Sequence, residues 1–155
     1  MSDLTHLDDM GHARMVDVAG REVTTRTATA SGRVTTAAAD LIRSGDVPKG
    51  DVLAVARIAG IMATKRTPDL IPLCHPIAVH GVDVDVSVAA GTDEVLIRAT
   101  VRTADRTGVE MEALTAVAVA GLAVIDMVKA VDPHAALRDV QVEAKDGGRS
   151  GAWQR

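Results

Sequence analysis

The chain has 155 residues and a net charge of −4, with 47% hydrophobic and 25% charged residues, a composition that is ordinary for a globular protein. This length predicts one domain, residues 1–155. The acidic balance argues against broad binding to nucleic-acid backbones. There is no Phe or Tyr and Trp153 is the only Trp, so the aromatic platforms of single-strand binders are missing. Cys74 is the only cysteine, which excludes an internal disulfide and a cysteine zinc cluster.

The N-terminal segment MSDLTHLDDMGHARMVDV is polar and acidic, without the pattern of a signal peptide. Residues 1–14 are predicted to form a flexible arm. The apolar run 113–125 is shorter than the roughly 20 residues that cross a bilayer. The expected location is the cytoplasm, with no membrane or nucleic-acid partner.

The first half of the chain predicts two strands followed by two helices. Residues 15–18 and 21–34 have strand character, the latter rich in Thr. Residues 35–43 are predicted as a short helix that ends near Ser44-Gly45. The next segment, from Asp51, is compatible with a strand or a helix. A helix to about Thr64 is favoured because four apolar residues keep helical spacing, namely Ala54, Ile58, Ile61 and Met62. Pro68 and Pro72 are expected to end it.

The second half predicts a hairpin, a long helix and a final strand. Val alternates with polar residues over 79–89, and a turn at 91–93 leads to a second strand at 94–103. A long apolar helix is predicted over 108–131, a strand over 137–145, and a glycine-rich loop and tail over 146–155. This order fits an α+β fold of two layers, with an antiparallel sheet covered on one face by helices.

The long helix carries four charged residues that an apolar helix does not need: Glu110, Glu112, Asp126 and Lys129. Buried carboxylates are rare unless they are paired or used. Asp126 and Lys129 are spaced i, i+3, so their side chains share one face. We expect a partly buried pair with tuned proton affinities, as general acid/base chemistry requires. A structural ion pair at a helix end is the alternative.

The segment LIPLCHP, residues 70–76, holds His75 between Cys74 and Pro76. Two prolines restrict this backbone and fix where the imidazole points. Such a histidine suits proton transfer or a phosphate contact, although a histidine that is simply hydrogen-bonded in a turn is the alternative. Cys74 is not expected to be a nucleophile, because no second catalytic pattern supports it.

Basic residues cluster beside glycines and prolines, and the loop KDGGRSG at 145–151 has backbone N–H groups suited to an oxyanion. It is not a P-loop, which needs GxxxxGK[ST]. In an acidic chain these local cations indicate a small anionic ligand, most simply a phosphate. Singly, each is compatible with a solvated surface charge. The cations are Lys49, Arg57, Lys65, Arg66, Lys145 and Arg149.

Glu112 and Asp126 are 14 residues apart, which is roughly 21 Å on one straight helix. They therefore cannot serve the same atom within one subunit if the helix covers both. Either the helix begins after Glu112, or the site lies between subunits. We favour the second, because the small residues of 113–125 suit close packing against another chain.

Four motifs together resemble the MoaC family, the cyclic pyranopterin monophosphate synthases of molybdenum cofactor biosynthesis. They are residues 49–76 with LIPLCHP, TGVEMEALTAV at 107–117, DMVKAV at 126–131 and the KDGGRSG loop; MVDV at 15–18 matches as well. The resemblance covers residues 4–151 and implies a ferredoxin-like α+β fold. It implies conversion of 3′,8-cyclo-7,8-dihydro-GTP to cyclic pyranopterin monophosphate, with release of pyrophosphate and without a metal or organic cofactor.

The resemblance also implies a homohexamer, a trimer of dimers, with sites between subunits, and it leaves room for functional coupling to the radical enzyme that makes the substrate. Its catalytic residues fall on Asp126, Lys129 and Lys49. Arg149 stands where many relatives have Lys, which keeps the charge but changes its geometry. The substrate-binding residues implied are Leu73, Cys74, His75, Met111, Glu112, Glu110, Arg26, Lys145 and Arg149.

Two other classes of protein share some of these features. A nucleotide-sensing oligomer would also have basic loops, but it would not need the Asp126–Lys129 pair. A purely structural assembly protein would tolerate the loss of His75 and Lys49.

Overall fold

The computed structural model describes residues 6–155, which contain five strands and four helices. In chain order these are β1 (Thr24–Thr35), α1 (Ala39–Ser44), α2 (Val52–Thr64), α3 (Thr67–Leu70), β2 (Gly81–Val88), β3 (Glu94–Asp105), α4 (Glu110–Val128), β4 (Ala136–Asp146) and β5 (Trp153–Gln154).

The strands form one sheet in the order β2-β3-β1-β4-β5, and every neighbouring pair is antiparallel. Helices α2 and α4 pack against each other and against the strands. The elements β1, α2, β2, β3, α4 and β4, with strand order 2-3-1-4, give the ferredoxin-like arrangement. The predicted α+β two-layer fold is confirmed.

The core between the sheet and α4 is built from small aliphatic side chains. Alternate residues of β3 point inward, and Val95, Ile97, Ala99 and Val101 are at most 1% exposed. These short side chains let the elements approach closely: a Cβ on Gly60 of α2 would lie 3.0 Å from the Ala116 carbonyl oxygen of α4. By length and composition α4 could cross a membrane, but more than half of it is buried inside the fold, as in a core helix.

The main helices and the hairpin agree with the sequence predictions. The segment that begins at Asp51 is a helix, so the strand alternative is wrong. The Asp51 carboxylate accepts a hydrogen bond from the Ala54 amide at 3.0 Å and caps the helix. Helix α1 ends at Gly45, which has φ 78°, where a left-handed glycine satisfies the last carbonyls. β2 and β3 pair as the predicted hairpin.

Two local predictions are wrong, and one is incomplete. Residues 15–18 form no strand; the Val16 carbonyl instead contacts His75. Pro68 follows the end of α2 as predicted, but it also begins a further short helix. It lies in the first turn of α3, where its missing N–H is not needed. The tail is not all loop, because Trp153–Gln154 pairs with β4.

The predicted arm, residues 1–14, is only partly within the described chain. Residues 1–5 lie outside it, while the segment after them turns back and forms a bridge between Leu7 and Ala13. The predicted strand 21–34 begins three residues later, at Thr24.

Candidate active site

The candidate residues lie in two groups, one at each end of α4. The helix runs without interruption from Glu110 to Val128, so the possibility that it begins after Glu112 is wrong. The rise of about 1.5 Å per residue separates Glu112 from Asp126 by roughly 21 Å. Within one chain, the two groups therefore cannot contact the same atom.

Asp126 forms the centre of the group at the C-terminal end. The Lys129 ammonium donates to its Oδ1 at 2.6 Å. The Lys49 ammonium, from the loop before α2, donates to its Oδ2 at 3.2 Å and to its backbone oxygen at 2.8 Å. The hydrogen bond from Lys129 and then that from Lys49 hold the pKa of Asp126 below its usual range. Asp126 is thus a carboxylate between two cations, and all three predicted catalytic residues are together.

This group is more exposed than its apolar helix suggested. The side chains of Asp126 and Lys129 are 57% and 59% exposed, and that of Lys49 is 43% exposed. Partial burial of the pair was predicted, and for the single chain that prediction is wrong. The reason is position: Asp126 and Lys129 lie in the last turn of α4 and at its cap, on a face that neither the sheet nor α2 covers.

Two cavities lie at the N-terminal end of α4, and a third shares Arg21 and other wall residues with them. The first, about 380 Å³, is lined by Leu73, Cys74, His75, Glu110 and Met111, among others. The second, about 200 Å³, contains Arg26, Glu110, Lys145 and Arg149. The third, about 410 Å³, is lined by Arg26, Gly148, Arg149 and three neighbours. Apart from buried Glu112, all of the predicted substrate-binding residues line these cavities.

His75 is oriented by the backbone of residues 15–18. Its Nε2 lies 2.7 Å from the Val16 carbonyl oxygen. A carbonyl only accepts hydrogen bonds, so Nε2 carries a proton and donates it. This leaves Nδ1 for another partner. The MVDV segment therefore positions an imidazole instead of joining the sheet.

Glu112 is the buried carboxyl of the site. It is 1% exposed, its Oε2 has no hydrogen-bond partner among residues 6–155, and the Cys74 thiol approaches its Oε1 at 3.5 Å. Burial raises the pKa of Glu112. Burial and the adjacent carboxyl raise the pKa of the Cys74 thiol to about 11. A thiol that stays protonated is a poor nucleophile, in agreement with the role expected from the sequence.

The glycine loop fits closely against β1. Gly147 has φ 87° and Gly148 has φ 79°; a Cβ on Gly147 would collide with the Thr25 carbonyl oxygen, and one on Gly148 with the Arg26 guanidinium. The Thr25 backbone therefore leaves no room for a side chain at Gly147, and the positive φ favours glycine at both positions. The loop begins at Lys145, whose Nζ lies 3.4 Å from Glu110 Oε1 and donates to the Ser150 hydroxyl.

Three of the predicted cations lie away from these cavities. Arg57 donates to the Val84 carbonyl at 3.2 Å, which ties α2 to β2. Arg66 pairs with Asp69 at 3.3 Å. Lys65 follows α2 as its exposed C-cap. None of these three lines the cavities around α4.

Arg21 lines all three cavities beside the predicted residues, although it was not predicted from the sequence. It lies in no motif and between two short irregular segments, so only the folded position of the loop brings it to α4. The one available sequence signal was a basic residue beside Gly20.

The fold and the site define a ferredoxin-like α+β protein with an acid–amine group at one end of its core helix and cation-lined cavities at the other. The MoaC family model matches residues 15–148, and the chain belongs to the MoaC family. Its relatives include the "Cyclic pyranopterin monophosphate synthase" of Streptomyces coelicolor, 66% identical over 98% of this chain and 89% of that protein. The protein of the same name from Nocardioides sp. is 62% identical over 98% of this chain and 95% of that one.

The similarity extends to more distant bacteria. The "Cyclic pyranopterin monophosphate synthase 2" of Mycobacterium tuberculosis is 57% identical over 99% of this chain and 92% of its own length. The similarity therefore covers both ends of α4 and not one motif alone.

Proposed function

We propose that this protein is a lyase of molybdenum cofactor biosynthesis, which converts 3′,8-cyclo-7,8-dihydro-GTP to cyclic pyranopterin monophosphate and releases pyrophosphate. The observation that carries the proposal is 66% identity to a protein of that name over 98% of this chain. The contacts around α4 support it, since they provide a carboxylate between two amines and a separate set of cations.

In this proposal, Asp126, Lys129 and Lys49 handle the protons. Rearrangement of a purine-derived ring needs groups that accept and return protons. Asp126 is ionised and each lysine is within hydrogen-bond distance of it, so the carboxylate can accept a proton and an ammonium can donate one. The same cations stabilise negative charge as the cyclic phosphate forms and pyrophosphate leaves.

The N-terminal end of α4 would bind the substrate. Arg26, Lys145 and Arg149 bring positive charge to the cavity of about 200 Å³, which suits phosphate oxygens. His75, Met111 and Leu73 line the larger neighbouring cavity, whose mixed polar and apolar wall suits a purine-derived ring. Cys74 is also part of that wall, and the buried Glu112 lies next to it, within reach of the Cys74 thiol.

We further propose the homohexamer, a trimer of dimers, with each site completed by two subunits. The separation of roughly 21 Å between the two groups supports a site in which one chain supplies Asp126 and another supplies Glu112. Exposed apolar side chains on α2 and α4 also support an assembly, because a monomer rarely leaves them together. Val55, Ile58, Met62 and Leu122 are 42–60% exposed. A cytoplasmic location and coupling to the radical enzyme that makes the substrate complete the proposal.

The test is turnover by the purified protein alone, supplied with the cyclic dihydro-GTP intermediate. We expect pyrophosphate and cyclic pyranopterin monophosphate in equal amounts, and their loss in Asp126→Ala. Asp40→Ala is the matched control, because Asp40 is also an exposed carboxylate paired with a basic residue three positions away. Binding of the intermediate without turnover by the wild type would contradict the proposal and indicate a nucleotide-sensing relative.

A further inference from the structure

Residues 15–21, which we call the N-terminal strap, lie beside His75 without forming a helix or a strand. A cavity of about 430 Å³ is lined on one side by the strap and on the other by residues 75–77 and 105–107. None of the strap residues is buried, and most are exposed. Because the strap is not packed into the core, its position depends on the few hydrogen bonds that it makes.

Two hydrogen bonds join the strap to the rest of the fold, one near each of its ends, in the part of the chain that the structure describes. His75 Nε2 donates to the Val16 carbonyl at 2.7 Å. Arg106 Nε donates to the Arg21 carbonyl at 3.1 Å. Two further bonds close turns inside the strap, between these ends. The turns connect the two ends, so the bond from Arg106 also restrains the carbonyl that contacts His75.

Arg106 can hold the strap because its own backbone is fixed. It directly follows β3, and its amide donates to the Asp105 carboxylate at 2.7 Å. The other Asp105 oxygen accepts a hydrogen bond from the Ala78 amide at 3.4 Å, three residues after His75. The Arg106 guanidinium forms no salt bridge within residues 6–155, so no carboxylate competes for it there. The end of β3 thus holds both the strap and the segment that carries His75.

The strap carbonyl decides which nitrogen of a neutral His75 carries the proton. A neutral imidazole has one protonated nitrogen, and donation to a carbonyl requires that it be Nε2. Nδ1 is then an acceptor, and the same bond fixes the orientation of the ring. Loosening the strap removes this preference. A ligand in the neighbouring cavity of about 380 Å³, whose wall includes His75, would then meet a mixture of tautomers.

We infer that Arg106 is a positioning residue, which holds the N-terminal strap so that the Val16 carbonyl fixes the tautomer and the orientation of His75. The role of His75 towards the substrate rests on the proposed function, but the state of its ring can be measured without turnover. Arg106 itself contacts no reacting atom in this inference, because it acts through the strap backbone.

The experiment observes the His75 ring of the whole protein by nitrogen NMR, with the five histidines labelled and His75 assigned by comparison with His75→Gln. The wild type should show a protonated Nε2 whose proton exchanges slowly with water. Arg106→Ala should speed this exchange about ten-fold, as the loss of one hydrogen bond allows. The kcat/KM for the cyclic dihydro-GTP intermediate should fall by a similar factor. Arg106→Lys keeps a donor for the Arg21 carbonyl and should retain most of both properties.

Arg98→Ala is the matched control. Arg98 is an exposed arginine on β3 that makes no salt bridge among the described residues and lies outside the cavity beside the strap. It precedes Asp105 by seven positions, or roughly 23 Å along the strand. Its removal should leave proton exchange at His75 and kcat/KM unchanged.

The outcomes separate this inference from the proposed function. Unchanged exchange at His75 and unchanged kcat/KM in Arg106→Ala would overturn the inference and leave the proposed reaction intact. No turnover by the wild type, with faster exchange in Arg106→Ala, would overturn the proposed reaction and support the positioning role. A lower Tm in Arg106→Ala with normal exchange at His75 would reduce Arg106 to a structural residue and overturn the inference. Faster exchange in Arg98→Ala as well would contradict a specific contact by Arg106.

Discussion

At the C-terminal end of α4, Asp126 is 57% exposed and is held ionised by two lysines. At the N-terminal end, Glu112 is 1% exposed and burial raises its pKa. The two carboxyl groups belong to one helix, yet their surroundings move their proton affinities in opposite directions. Titratable pairs of this kind are a frequent sign of divided acid and base roles. The exposed, ionised carboxylate lies at one end of the helix and the buried carboxyl at the other.

The largest expected effect comes from removing a cation at the exposed end. Lys49→Ala should fold normally, because Lys49 is 43% exposed, and should lose nearly all turnover, about 10²–10⁴-fold. Residual activity should show a higher pKa for Asp126, since one of the two cations that lower it is gone. A pH–rate profile and a melting curve measure both effects. Lys65→Ala, an exposed lysine outside the site, is the control, and wild-type activity in Lys49→Ala would disprove its assignment.

The second prediction tests whether the two ends meet across a subunit boundary. Asp126→Ala and His75→Ala should each be inactive, but co-expressed with different tags they should regain about a quarter of wild-type activity per site, because half of the random pairs contain one intact site of two. The control mixes Asp126→Ala with Lys49→Ala, which alter the same end and should stay inactive. No recovery in the first mixture would show that each site lies within one chain.

The smallest expected effect concerns stability at the buried end. A raised carboxyl pKa means that the folded state binds a proton more tightly than the unfolded state, so stability falls as pH rises above about 4.3. Glu112→Gln should remove this loss of stability at high pH, because a glutamine side chain does not ionise. Its free energy of unfolding should exceed that of the wild type by about 1 kcal/mol at pH 8, or roughly 2–4 °C in Tm, and the gap should close towards pH 4.

The control for this pH series is Glu110→Gln, in the same helical turn. Glu110 is 30% exposed and pairs with Lys145, so its replacement should not stabilise the protein at high pH. A gap between wild type and Glu112→Gln that is constant from pH 4 to pH 8 would rule out the buried titration.

The sequence predicted long elements well and short ones poorly. The 13 residues of α2 and the 19 of α4 have enough apolar repeats to define their period. Segment 15–18 has the composition of a strand, but its Val16 carbonyl is used by His75. The two residues of β5 have no local signal, because their ladder depends on β4. In both segments, contacts with distant parts of the chain determine the conformation, and a local sequence pattern does not show them.

The cavity residues that belong to sequence motifs were predicted. Arg21, which lies in a loop outside every motif, was not. The residues of LIPLCHP and GVEMEAL lie together as expected, and the distance between Glu112 and Asp126 already indicated two groups. The exposure of Asp126 was not predicted, because the composition of a helix does not show which of its turns the sheet covers. Arg21 was missed for a related reason: its turn is placed by Arg106, 85 positions away in the chain.

Trp153 is the only aromatic side chain among Phe, Tyr and Trp in the chain, and it pairs with Lys145 across the β4–β5 ladder. The guanidinium of Arg155 lies 5.5 Å from its ring centre. The glycine loop connects these two paired positions, so we expect a ligand that contacts the loop to alter the surroundings of the indole. The protein therefore carries a built-in fluorophore with no competing tyrosine emission, and its emission would report occupation of the loop without a label or an added probe.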